Sequence, residues 1–126
     1  MANMDKLLSQ QELYLSPQSG SFDTERVIEV VRPLGHCWQH PAVPAIFLIF
    51  RTETSKARCE ASIAANPKAA LPYVLLIKVE PDEILVNQFA GADFAEYSRT
   101  FLTWLLANYA CTASNEEGTD LTAHLS

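Results

Sequence analysis

At 126 residues, 48% of them hydrophobic and only 4 of them glycine, the chain is long enough for one self-sufficient core and too apolar to be largely disordered. Its net charge of −6 argues against nucleic acid or an anionic membrane as partner, because both need a basic face to displace counterions. The longest apolar run, Ala42 to Phe50, is broken by Pro44 and is strand length, well short of a membrane span.

Residues 1–11 are polar, with at most a helical turn around Leu7 and Leu8, and hold no apolar stretch of the kind a secretory signal needs. Cytoplasmic residence is therefore expected. Glu12 to Ser16 reads as a short strand and Pro17-Gln18-Ser19-Gly20 as a loop. A helix is predicted to start at Asp23, because Phe22 before this cap and Val27 after it are spaced as a hydrophobic staple. Val27, Ile28, Val31 and Leu34 share its inner face, and Pro33 with Gly35 ends it. His36 to Pro44, with two prolines, is predicted to be a loop. Ala45 to Phe50 lacks alternation, which suits a central strand buried on both faces.

Thr52 to Asn66 is predicted as the next helix, with the small residues Ala57, Ala61, Ala64 and Ala65 facing inward. Tyr73 to Val79 and Ile84 to Phe89 read as two strands joined at Glu80-Pro81-Asp82-Glu83, where Pro81 presets φ for a turn. Gly91 breaks the second strand, and Asp93 with Glu96 can cap a helix. That helix presents Phe94, Tyr97, Phe101, Trp104 and Leu105 at helical spacing. The stretch 112–126 has no Lys or Arg and carries Glu116, Glu117 and Asp120, so it is expected to be a disordered acidic tail on a domain of residues 1–111. The expected fold is α+β or α/β, a single-layer mixed sheet with helices in the order β-α-β-α-β-β-α.

This order, and residues 71–110 in particular, resembles the thioredoxin-like fold. Leu71-Pro72-Tyr73 before a hydrophobic strand is similar to the family's proline ahead of its third strand, which the resemblance implies is cis. The acidic turn, the Phe89-Ala90-Gly91-Ala92 break and the final helix follow the same pattern. The family's Cys-x-x-Cys would fall at Ser16 to Ser21, where this chain has no cysteine. The resemblance therefore implies the scaffold without its usual thiolate chemistry. Pro72 and the Pro17–Gly20 loop would then line a surface able to hold an extended peptide.

The densest cluster of reactive residue types is Gly35-His36-Cys37-Trp38-Gln39-His40-Pro41. Thiolate and imidazole suit zinc, which makes His36, Cys37 and His40 candidate metal ligands. The plainer reading is a loop in which Trp38 packs and both histidines are solvated. No second paired half-site exists, and no nucleophile elbow, Walker loop or dinucleotide fingerprint occurs. The carboxylates of Glu80, Asp82 and Glu83 read as solvated charges, and so do Arg51, Lys56, Arg58, Lys68 and Lys78 along one flank.

An odd count of three cysteines, Cys37, Cys59 and Cys111, suggests free thiols rather than a disulfide framework. With no cofactor motif and no catalytic constellation, the expected function is a non-enzymatic small acidic module that binds another protein, and its charge is compatible with a basic one. Adaptors, assembly chaperones and immunity-type inhibitors fit that description, with Pro72, Trp38 and Trp104 as candidate binding residues. The alternative is a thioredoxin-like redox accessory protein that uses an atypical cysteine.

Overall fold

The computed structural model describes residues 2–66, 75–88 and 95–125. The elements in order are α1 (Met4–Leu8), β1 (Glu12–Pro17), α2 (Thr24–Val31), β2 (His36–Gln39), β3 (Ile46–Phe50), α3 (Glu53–Ala65), β4 (Leu75–Val79), β5 (Ile84–Asn87), α4 (Ala95–Asn108) and β6 (Cys111–Asn115), followed by a 3-10 turn, Thr122–Leu125. The strands form one open sheet in the order β2-β3-β4-β5-β1-β6. Every pairing is antiparallel. The α+β, single-sheet class expected from the sequence is the one observed, but the sheet is antiparallel rather than mixed, and α1, β2 and β6 extend the expected order. The expected cis Leu71–Pro72 bond, the Asp93 cap and Phe94 lie outside the described residues.

Local chemistry accounts for the helix starts. The Asp23 side chain accepts from Arg26 N at 3.4 Å and caps α2. Thr52 does the same for α3, accepting from Ser55 N at 3.1 Å. The staple residues Phe22 and Val27 are both buried. Gly35, at φ +79°, carries the chain from α2 into β2. A Cβ there would stand 3.0 Å from the Phe50 carbonyl oxygen, so backbone angle and space both demand glycine.

Strand alternation divides the sheet into two unlike faces. Leu13, Leu15, Phe47, Ile49, Leu75, Ile77, Val79, Ile84 and Val86 point to one side, where α1, α2 and α4 supply Leu7, Val27, Val31, Phe101, Leu102 and Leu105 to a single core. On the other side Leu48 and Phe50 pack with Cys59 and Ile63 of α3, joined by the half-buried Trp38, Ile46 and Leu76. This second layer covers only the β2–β3–β4 half of the sheet.

Three expectations are corrected. Residues 36–39 form an edge strand rather than a loop, because pairing with β3 satisfies backbone groups that a loop would leave to water. The alanines of α3 face solvent, and its inward line is Cys59 and Ile63, one turn apart. Residues 112–125 are docked rather than disordered. They continue β6, which pairs with β1 from Leu13↔Asn115 to Pro17↔Cys111. Leu121 then closes over the core at 2% exposure.

Ending the chain after Ala110 should therefore lower unfolding free energy by about 3 kcal/mol or more, since Cys111, Ala113 and Leu121 lose their burial and β1 becomes a bare edge. A urea midpoint equal to that of the full chain would show that the segment contributes nothing. Phe101→Ala, at a fully buried position, should cost about 3–5 kcal/mol in the same assay.

Candidate functional site

Period-two alternation separates the residues of the His-Cys-Trp cluster. His36 and Trp38 point to the α3 side of the sheet, whereas Cys37 packs against the main core. His36 Nδ1 lies 3.1 Å from Glu53 Oε2 at the start of α3. His40 Nδ1 accepts from the Ala42 and Val43 amides at 3.0 and 3.1 Å, which closes the turn after β2. The imidazole of His40 also meets Trp38 edge to face, with ring centroids 5.4 Å apart. The structure thus does not bring His36, Cys37 and His40 together. Among the described residues no group of three His, Cys, Asp or Glu side chains is placed to hold a metal ion.

Trp104 serves a helix seam. The Arg26 guanidinium of α2 lies 5.8 Å from its ring centroid, and Tyr109 packs against it at 6.2 Å. Tyr109 in turn meets Phe22 edge to face at 5.1 Å, and its hydroxyl accepts from the Asp23 amide at 3.2 Å. This aromatic row ties the start of α2 to the end of α4. Pro72 lies outside the described residues.

All three cysteines are free thiols. Burial pushes each of them up to about 11, helped at Cys59 by the Glu60 carboxylate and only partly opposed at Cys37 by Arg32 and Lys56. A thiol in that state supplies almost no thiolate near neutral pH.

The feature that sequence reading missed is the half of the sheet that α3 leaves uncovered. Here Tyr14 stands opposite Leu85 on β5 and Ser114 on β6, while Ser16 faces Thr112. A groove of about 290 Å³ opens there, lined by Tyr14, Ser16, Glu83, Thr112, Asp120 and Thr122 among others. The Tyr14 hydroxyl donates to Glu12 Oε2 at 2.7 Å. That bond comes first, and with partial burial and the negative charges of Glu12, Glu83 and Glu116 it pushes the phenol up to about 12. The signal in the sequence was alternation in Glu12 to Ser16: Leu13 and Leu15 inward, Glu12, Tyr14 and Ser16 outward.

Comparison with protein-family models, with curated proteins and with solved structures finds no match to this chain. No helix among the described residues is long and apolar enough to cross a membrane.

The thiols generate a direct test. Alkylation rate against pH should rise with an apparent pKa near 11 for each cysteine in the native state. A cysteine titrating below the ordinary value of about 8.5 would point to thiolate chemistry instead.

Proposed function

We propose that the chain is a non-enzymatic module that binds a basic protein, in the manner of an adaptor, an assembly chaperone or an immunity-type inhibitor. The supporting observation is the groove on the uncovered half of the sheet. Its rim combines the hydroxyls of Tyr14, Ser16, Thr112 and Thr122 with the carboxylates of Glu83 and Asp120, and among the described residues no Lys or Arg lines it. Carboxylates and hydroxyls are acceptors that suit the forked guanidinium of arginine or the ammonium of lysine. Hydrogen bonds from the Thr122 hydroxyl and amide hold the Asp120 carboxyl below its usual range, so this carboxylate stays charged at neutral pH. Three free thiols fit a reducing compartment such as the cytoplasm.

A thioredoxin-like kinship for the scaffold belongs to this proposal. The β4–β5 hairpin followed by a core-packed helix supports it, and the purely antiparallel pairing weighs against it. The redox alternative draws no support from thiols whose burial suppresses ionisation.

Affinity capture from the native host, with wild type beside a Glu83→Lys/Asp120→Lys variant, is the discriminating experiment. A basic protein should be retained by wild type, released by moderate salt, and held at least about tenfold more weakly by the charge-reversed variant. Equal retention by both proteins would rule out the groove as the binding face.

A further inference from the structure

The two edges of the sheet are not equivalent. Beyond β6 the chain turns back and occupies the outer side of that strand. Leu121 N donates to Ala113 O at 2.8 Å, Asn115 N donates to Thr119 O at 3.2 Å, and Ala113 N donates to Thr122 Oγ1 at 3.1 Å. Nothing among the described residues covers β2 in this way. His40 N donates to Ile46 O at 2.9 Å, which sets the phase of the β2–β3 ladder. Antiparallel alternation then turns the backbone of His36 and Trp38 toward β3, and that of Cys37 and Gln39 outward. No hydrogen bond reaches the outward N–H or C=O groups of Cys37 and Gln39 among the described residues.

We propose that β2 pairs antiparallel with β2 of a second copy of this chain, about a twofold axis at Trp38. The occupant follows from closure. A strand of this chain that pairs with β2 must itself have an open edge, and the opposite edge of the sheet is already taken by residues 119–122. A head-to-tail array through β6 is thereby blocked, which leaves the isologous contact that closes on itself.

The register follows from the same phase. Centring on Trp38 sets Cys37 opposite Gln39 of the other copy twice over, giving about four inter-chain N–H···O bonds. Centring on Cys37 would draw in Gly35, whose φ of +79° is outside the strand region, and centring on Gln39 would draw in Pro41, which has no N–H and lies beyond β2 in the turn that His40 closes. Either alternative gives about half as many bonds.

Electrostatics permit the contact. The flank beside β2 carries both signs, with Glu53 and Glu60 beside Lys56 and Arg58 on α3 and Arg32 reaching Gln39 at 3.5 Å. The acidic flank beside β6 would repel its own copy. This pairing is independent of the proposed groove, which lies at the other end of the sheet.

Gln39→Pro tests the contact beside a Gln39→Ala control: both lose the Gln39 side-chain bonds to Pro44 O and Arg32, only proline deletes the outward N–H, the backbone bonds to β3 stay in place, and an edge strand tolerates proline. In sedimentation from millimolar to micromolar concentration, wild type should reach twice the 14.0 kDa chain mass. Gln39→Pro should associate at least about tenfold more weakly than Gln39→Ala, with a melting curve matching that control at dilutions where both are single chains. Hydrogen exchange of wild type gives a second readout that needs no substitution: the Cys37 and Gln39 amides should be protected only at concentrations where the dimer forms. A wild type that stays a single chain throughout, a Gln39→Pro protein that dimerises as well as Gln39→Ala, or exchange at those two amides that ignores concentration would each overturn the proposal.

Discussion

The structure depends on β1 lying between β5 and β6. Leu13 and Leu15 are fully buried, and the strand bonds to β5 on one side and to β6 on the other. Its partners come from the opposite end of the chain, so the loop-closure entropy of joining them is met late and is offset only by cooperative burial. The same union holds the N-terminus. Asn3 N donates to His124 O at 2.8 Å, and the buried Gln88 side chain donates to the Leu7 and Gln10 carbonyls at 3.2 and 2.7 Å. Hydrogen bonds act there together with burial of Leu7 and Leu121 to keep the two termini in place.

Coverage of the sheet is unequal, and both proposed contact surfaces are consequences of that inequality. Three helices close one face, while α3 closes half of the other with only Cys59 and Ile63 buried. Polar residues at Glu12, Tyr14, Ser16, Thr112 and Ser114 let the other half meet water without a desolvation penalty. At the β2 edge it is the backbone groups of Cys37 and Gln39 that have no partner among the described residues. One surface is chemically acidic and hydroxyl-rich; the other is geometric and specifies a strand.

Residue types that often signal chemistry serve architecture here. Trp104 and Tyr109 hold α2 to α4, and His40 closes a turn. Cys37 packs toward the core rather than beside His36, because neighbouring residues of a strand cannot share a face. Spacing in the sequence brought these groups together only on paper.

Local signals determined much of this protein. Glu12–Ser16, the β4–β5 hairpin, the cap at Asp23 and the inward placing of Phe101 and Leu105 on α4 were all legible, since periodicity, turn residues and capping side chains act within a few positions. The strands at 36–39 and 111–115 were not. His-Cys-Trp-Gln and Cys-Thr-Ala-Ser-Asn have little intrinsic strand preference, and they are strands because β3 and β1 offer them unpaired backbone. The orientation of α3 likewise depended on which helix face met the sheet. The groove at Tyr14 escaped the sequence for the same reason: Glu12, Glu83, Glu116 and Asp120 become neighbours only when β1 is inserted between β5 and β6, and that pairing is decided by tertiary structure alone.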